Sequence, residues 1–220
     1  RWLTWGIVGS IFICVVLTFS RGAMFGLAAG LGFIAVLRYR WLIPYMFGGG
    51  VLLLLLPVAQ TYVQRFVEGI QGQDLATQMR FGEYQDAITL ILRYPIIGVG
   101  FAGAPDIDLY LGVANVYLTI AQLMGLVGLL AFFAVIGPLF FYGLSHRHIF
   151  KAHEELDALW LGLHAAIVGG LAAGLFDHYL FNLEFHHAVT AFWLLVGLAT
   201  AVTRLGVAEQ NGTQMDADER

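Results

Sequence analysis

Residues 61–112 read TYVQRFVEGIQGQDLATQMRFGEYQDAITLILRYPIIGVGFAGAPDIDLYLG, and this stretch decides the fold. It is the only long part of the chain that is too polar for hydrocarbon, because it carries three arginines and six acidic residues. Membrane proteins keep such groups in water-facing loops, which lipid does not surround. We therefore expect residues 61–112 to carry the chemistry, and the apolar segments on either side to form its scaffold.

The composition places the chain among integral membrane proteins. Of its 220 residues 59% are hydrophobic and 12% are charged, and the mean hydropathy is +0.78. Soluble domains have about 45–50% apolar and about 25% charged residues. The net charge of −4 argues against a nucleic-acid partner, which would require a basic surface. Cys14 is the only cysteine in the sequence, so an intrachain disulfide is excluded.

Six apolar segments flank the polar loop, three on each side, and each approaches the roughly 20 residues that cross a bilayer. They cover residues 2–19, 22–37, 41–60, 113–142, 156–176 and 188–203. The sequence therefore predicts an all-α polytopic membrane protein with about six transmembrane helices in one domain, residues 1–205. A flexible cytoplasmic tail is expected over residues 206–220. The segment 113–142 exceeds one span, so it overshoots, tilts, or breaks near Gly125 or Pro138.

Basic residues in the short connections set the predicted orientation, since Lys and Arg accumulate on the cytoplasmic side. Only Arg21 lies in the short connections of one side, whereas the other side holds Arg38, Arg40, Arg147, Lys151 and Arg204. The second side is therefore the predicted cytoplasmic side. The loop 61–112, the connection 20–22 and the turn 177–187 then share the outer face. In the second segment Gly22, Gly26 and Gly30 lie four residues apart and predict a flat strip for a neighbouring helix.

Within the loop, apolar residues at helical spacing predict a helix over residues 75–94 that Pro95 ends. Arg80 lies on this helix, and its guanidinium can bind a phosphate through two parallel hydrogen bonds or form an ion pair with Glu83. Arg21 either assists in phosphate binding or anchors a span end at the interface. After Pro95, Gly98 and Gly100 predict a turn whose backbone can approach a ligand.

Histidines cluster with carboxylates in the turn between the last two segments. His178 follows Asp177, and His186 and His187 follow Glu184. Imidazole titrates near neutral pH, and a neighbouring carboxylate favours its charged form. The cluster can therefore serve acid–base chemistry, hold a metal, or form an interfacial polar turn. His164 lies in mid-span, where we expect a neutral ring that is hydrogen-bonded to a neighbouring helix.

Four pieces of the sequence occur in an order that resembles the O-antigen ligase and O-antigen polymerase family of bacterial envelope enzymes. They are TFSRGA at 18–23, Arg80 with an aromatic residue four positions later at Tyr84, YPIIGVG at 94–100, and NVYLTIAQLMGLVGLL at 115–130. The resemblance covers the chain best from residue 18 to residue 130. The family has about twice as many spans, so the chain would correspond to its C-terminal half.

The resemblance implies transfer or polymerisation of a glycan from an undecaprenyl-diphosphate carrier to a hydroxyl of a glycan or lipid acceptor. The reaction would take place at the outer face of the bacterial cytoplasmic membrane, among membrane lipids and without a metal or other cofactor. By this similarity Arg80 holds the diphosphate and Arg21 assists it, while Tyr84, Gly98, Gly100 and Asn115 contribute to substrate binding. Ligases of the family carry a histidine just before the asparagine, where this chain has Ala114.

Because Ala114 cannot accept a proton, another group must do so if the reaction requires a base. His178 with Asp177 is the first candidate, and His186 and His187 are assigned to substrate binding. The alternative function is a polytopic transporter or channel for a small anionic solute, which the mid-span His164 and the glycine-interrupted segments would also suit. A transporter places its polar groups near the membrane midplane, whereas here nearly all lie toward the predicted outer face.

Overall fold

The computed structural model describes residues 2–18, 20–55, 75–103, 108–109, 112–151, 154–182 and 185–218. Across these ranges the chain forms helices joined by turns, and no β-strand occurs, which confirms the all-α prediction. The helices are α1 (Trp2–Leu17), α2 (Arg21–Leu37), α3 (Leu42–Leu55), α4 (Leu75–Arg93), α5 (Val116–Ser145), α6 (Arg147–Phe150), α7 (Glu154–Ala173) and α8 (His186–Asp218).

Six apolar helices follow the six predicted segments in order. By length and composition α5, α7 and α8 can cross a membrane, and α1, α2 and α3 contain shorter apolar helices. The helix α4 is the one predicted within the loop, and it ends at Arg93 because Pro95 cannot continue it. The helix α8 extends to Asp218, so residues 206–218 are helical, while the flexibility of this tail stays a prediction. Residues 56–60 of the third segment and 61–74 of the loop lie outside the described ranges.

The close contact between α2 and α7 confirms the glycine strip predicted on α2. A Cβ atom at Gly26 would lie 2.6 Å from the carbonyl oxygen of Gly169, and one at Gly30 would lie 2.9 Å from that of Ala165. No side chain fits between these two backbones. Small residues on both helices therefore allow them to pack in van der Waals contact, which is how helices associate in lipid.

The long helix α5 breaks at Gly125, where φ is 68° and ψ is −171°. Tyr117 stacks on Phe133 with ring centroids 5.8 Å apart, although these residues would be about 24 Å apart along a straight helix. The first limb, residues 116–124, therefore folds back along the second limb, residues 126–145. The second limb has about the 20 residues that a span requires. The predicted break near Gly125 is confirmed, and Pro138 lies inside the second limb.

An apolar core joins α5, α7 and α8. Ile120 and Ile136 of α5, Ile167 of α7 and Phe192 of α8 are all buried within it. Phe132 contacts Trp193 edge to face, with ring centroids 6.1 Å apart. Both limbs of α5 are therefore held against the same pair of helices.

A buried ion-pair cluster closes one end of this bundle, which we call the Asp157 end. The Asp157 carboxylate lies 2.8 Å from Nη1 of Arg38 and also pairs with Arg147. The Arg147 guanidinium lies 4.8 Å from the centroid of the Trp160 ring, a cation–π arrangement. The cluster ties α2, α6 and α7 together, and the sequence had not indicated Asp157 for this role.

The mid-span His164 corrects one expectation. Its Nδ1 donates a hydrogen bond to the carbonyl oxygen of Trp160, 2.8 Å away and one turn earlier in the same helix, rather than to a neighbouring helix. The ring stacks on that of Trp160 at 4.0 Å and contacts Phe140 edge to face at 5.6 Å. Carbonyl groups within a helix still have a free lone pair, so a histidine one turn later can bind one without a second helix.

Candidate functional site

The start of α5 is fastened to the end of α7, and we call this place the Asn115 end of the bundle. The side-chain amide of Asn115 donates to the carbonyl oxygen of Leu175 at 3.1 Å, and its Oδ1 caps α5 by accepting from the amide of Leu118 at 3.0 Å. The amide of Val116 donates to the carbonyl oxygen of Gly174 at 2.8 Å. Asparagine suits this position because its amide both donates and accepts.

The start of α2 lies at the same end. Ser20 caps α2 by accepting from the amide of Ala23 at 3.2 Å, so the backbone of Arg21 begins the helix here. Phe25 contacts Phe176 edge to face, with ring centroids 5.1 Å apart. A Cβ atom at Gly22 would lie 3.3 Å from that of Phe176. The segments 20–22, 113–116 and 174–178 are thus brought together, so the connection 20–22 and the start of the turn 177–187 lie at the same end of the bundle.

Asp177 and His178 lie two and three residues after Leu175, which binds Asn115 just beyond the end of α7. The amide of His178 donates to Oδ1 of Asp177 at 2.7 Å, while its ring Nδ1 lies 3.8 Å from that oxygen, beyond hydrogen-bond distance. The side chains of His178 and Asp177 are 28% and 31% exposed. The backbone amide of Asn182 donates to the carbonyl oxygen of His178 at 3.0 Å. Leu175, three residues before His178, is bonded to Asn115, the neighbour of Ala114, so the backbone leading to the histidine lies close to the start of α5.

His186 and His187 begin α8 and are both exposed. The ring of Phe185 contacts two of the three histidines, since its centroid is 6.1 Å from that of His178 and 6.2 Å from that of His187. Within the described ranges no group of three His, Cys, Asp or Glu side chains could hold a metal ion, and Glu184 lies outside those ranges.

Arg80 is exposed on α4, one turn before the half-buried Tyr84. The structure contains no ion pair between Arg80 and Glu83, both of which it describes, so that interpretation of Arg80 is not supported. The helix α4 packs against α5, and its Ala87 and Leu90 are fully buried. Arg80 is thus held on a packed helix while its guanidinium faces outward.

The segment after α4 fills the break in α5, and we call residues 95–100 the inserted segment. Val99 and Gly100 donate from their amides to the carbonyl oxygens of Gln122 and Leu123, at 2.9 and 2.8 Å. The amide of Leu126 in turn donates to the carbonyl oxygen of Pro95 at 2.8 Å. The inserted segment therefore supplies partners to both helix ends that the break creates.

Two glycines make this insertion possible, and they place the turn differently from the expectation. Gly98 has φ 67°, and a Cβ atom there would lie 2.5 Å from the carbonyl carbon of Leu123. A Cβ atom at Gly125 would overlap the carbonyl group of Ile96. We expected the backbone of Gly98 and Gly100 to approach a ligand, but it approaches the broken helix. The glycine-rich run had signalled a close approach without identifying the partner.

The helices and their apolar surfaces define an integral membrane protein, and Asp177 and His178 are partly accessible at its Asn115 end. The model of the O-antigen ligase family matches residues 6–133, which is more than half of the chain. The chain belongs to the O-antigen ligase family, and membership supports ligase- or polymerase-type glycan transfer at a membrane. No curated protein and no solved structure matches the chain.

Proposed function

We propose that the protein transfers or polymerises a glycan carried on undecaprenyl diphosphate, at the outer face of the bacterial cytoplasmic membrane. The observation that carries this proposal is the meeting of segments 20–22, 113–116 and 174–178 at the Asn115 end. The donor is the lipid-linked oligosaccharide, and the acceptor is a hydroxyl group of a glycan or lipid. Membrane lipids surround the site, and the reaction needs no cofactor.

In this reaction the acceptor hydroxyl attacks the anomeric carbon of the donor sugar. The bond between that carbon and the diphosphate oxygen breaks, and the diphosphate leaves with the bonding electrons. Arg80 and Arg21 would stabilise the charge that develops on the leaving group. The exposed guanidinium of Arg80, which is not paired with Glu83, supports this role because a bidentate contact requires a free edge.

The remaining assignments follow the positions of the side chains. Tyr84, one turn after Arg80, would contact the donor, and Asn115 would contribute to substrate binding at its junction with Leu175. His186 and His187, exposed at the start of α8, are assigned to the acceptor. Gly98 and Gly100 would contribute indirectly, because their backbone holds α4 against α5.

His178 is the proposed base that takes the proton of the acceptor hydroxyl. It follows Leu175 by three residues, and Leu175 is bonded to Asn115, the neighbour of Ala114. Asp177 would stabilise the imidazolium once it forms, since a carboxylate near imidazole favours its charged form. In the neutral ring one nitrogen is free to accept a proton.

The alternative function, transport of a small anionic solute, finds less support. Transporters bind anions at the free amides of broken helices. The helix α5 is broken, but the amides of Leu126 and Val127 after the break donate to the inserted segment. The mid-span His164 is buried against Trp160 and Phe140 rather than lining a path.

Lipid-linked glycan measured in cells that lack the full-length protein tests this function against the alternative. We expect undecaprenyl-diphosphate-linked glycan to accumulate while the finished surface polysaccharide declines, because the donor is no longer consumed. An unchanged pool of lipid-linked glycan, together with a defect in uptake of an anionic solute, would favour the transporter instead.

The base is tested by the variant His178→Ala in a transfer assay across about pH 5.5 to 8.5, where imidazole titrates. Removing a general base lowers the rate by about 100-fold or more, and the pH dependence near neutrality should disappear with it. The variant His148→Ala, an exposed histidine beside Arg147 at the Asp157 end, is the matched control. If His178→Ala keeps the rate and pH profile of the unmodified protein, His178 is not the base, and His186 and His187 are tested next.

A further inference from the structure

The inserted segment exposes large apolar side chains. Ile96 is 67% exposed and Ile97 is 76% exposed, and the preceding Leu92 is 75% exposed. Residues 94–101 contain no charged side chain. Water-facing loops do not usually carry a contiguous apolar patch of this kind, and such patches mark contact with a membrane or a partner.

Nearly half of the backbone polar groups of the inserted segment are hydrogen-bonded within the protein. Four of its peptide groups are bonded across the break in α5, and the amide of Gly98 donates to the carbonyl oxygen of Tyr94 at 3.1 Å. Irregular backbone is tolerated at membrane depth only where the protein itself satisfies its polar groups. A loop that faces water has no such need, because water binds its amides and carbonyls.

The exposed apolar surface of the inserted segment continues onto the spanning limb of α5. Val127 donates from its amide to the carbonyl oxygen of Ile96 at 3.3 Å, so the two residues lie at the same height. Leu126, Val127 and Leu130 are 48%, 56% and 68% exposed on a limb whose outward face contacts lipid. Ile96 and Ile97 therefore lie beside the first turns of a span.

The helix α4 also carries a stripe of exposed apolar side chains. Phe81, Ile88 and Leu92 are exposed and recur seven and four residues apart, which places them on one face. Thr89 and Arg93 are exposed on the neighbouring polar face. Tyr94, at the end of the helix, is a residue type that is enriched where membrane meets water.

We propose that the inserted segment and the apolar face of α4 enter the membrane leaflet that surrounds the Asn115 end. The occupant of this surface is the acyl chains of that leaflet, which already cover the adjoining limb of α5. The helix α4 then lies at the membrane surface and carries Arg80 at the height of lipid phosphates. That last consequence rests on the proposed function, whereas the insertion itself does not.

Spin labels in the full-length protein, reconstituted into lipid nanodiscs, test the insertion. Cys14 is exposed and is first replaced by serine so that it takes no label. Single cysteines are then introduced as Ile97→Cys, as Leu130→Cys for a lipid-facing reference, and as Thr89→Cys for a water-facing reference. We expect the label at position 97, like that at 130, to collide more with oxygen than with a water-soluble nickel complex. The label at position 89 should show the reverse.

Two results would overturn the proposal. A label at position 97 that collides with the nickel complex as often as the label at 89 would place the segment in water. A label that is shielded from both reagents would mean that protein, such as a second copy of the chain, covers this surface. If Ile97→Cys fails to fold, Ile96→Cys gives the same readout. No arm of this experiment uses glycan transfer, so its failure is distinct from failure of the proposed function.

Discussion

The two ends of the helix bundle are fastened by different means. At the Asp157 end, three charged side chains meet one another, and Arg147 and Asp157 are only 7% and 3% exposed. At the Asn115 end, Asn115 and Val116 donate hydrogen bonds to backbone carbonyl oxygens at the end of α7. There the ionisable side chains of Asp177 and His178 remain about a third exposed.

This difference separates a structural end from a reactive one. The charges of Arg38, Arg147 and Asp157 are already paired with one another, so a ligand could bind them only by breaking an ion pair that burial makes costly to break. At the Asn115 end the backbone links hold the elements together without using the ionisable groups. Those groups keep the capacity to bind a substrate or to move a proton, which is why we place the reaction there.

Loss of the Asp157 charge should have the largest effect on stability. The variant Asp157→Asn leaves Arg147 buried without a carboxylate, and breaking a buried ion pair in this way costs about 3–5 kcal/mol. Thermal unfolding of the purified protein in lipid nanodiscs measures the loss. The exposed Glu155 of the same helix gives the control Glu155→Gln, for which we expect little change. Equal stability of the two variants would mean that the Asp157 cluster does not stabilise the helix bundle.

A methyl group at position 125 should lower the free energy of unfolding by a smaller amount than the loss of the Asp157 charge. The variant Gly125→Ala puts a side chain into a backbone conformation that only glycine adopts readily, and into the carbonyl group of Ile96. We expect a loss of about 2–3 kcal/mol, limited because the inserted segment can detach. Faster hydrogen exchange of the Val99 and Gly100 amides reports the detachment.

Gly137 supplies the matched control for this substitution, because it lies in the same helix and a Cβ atom there would meet nothing within 4 Å. The variant Gly137→Ala should leave hydrogen exchange of the inserted segment unchanged. If Gly125→Ala also leaves it unchanged, the fit between the inserted segment and the break is looser than the structure indicates.

Cysteine labelling tests whether the two ends face opposite sides of the membrane, and we expect the substitutions to have almost no effect on stability. If the two ends face opposite sides of the membrane, cysteines introduced as Gln71→Cys and His148→Cys in the Cys14→Ser background should label from opposite sides. His148 is exposed beside Arg147, and Gln71 lies in the loop, outside the described residues. In intact cells an impermeant reagent should label position 71 alone. Labelling of both positions would contradict the predicted orientation.

Local patterns in the sequence were sufficient to predict much of the fold. Runs of apolar residues located the six segments, and the spacing of Gly22, Gly26 and Gly30 indicated the face of α2 that packs on α7. A segment too long for one span indicated a break near Gly125. Each of these features depends on residues close together in the chain, which is why periodicity and length reveal them.

Contacts between distant residues were harder to predict. The glycine-rich run after Pro95 had no sequence signal that it would pair with residues 122–127. Asp157 lay at the start of the predicted segment 156–176 with no sequence signal for a partner, and only the fold brings Arg38 and Arg147 to it. At the candidate site, the sequence indicated His178 as a candidate base but did not show how it could come close to Ala114. The bond between Asn115 and Leu175 brings the backbone before His178 to the start of α5.

The most direct test of the central claim, that glycan transfer takes place at the Asn115 end with Arg80 on the diphosphate, compares two arginines of α4. Arg80→Lys keeps the charge but loses the bidentate contact, so transfer from lipid-linked donor by the purified full-length protein should fall about tenfold or more. Arg93→Lys, at the other exposed end of the helix, should retain most of the rate. Both variants should insert and accumulate normally. Near-normal transfer by Arg80→Lys would contradict the account.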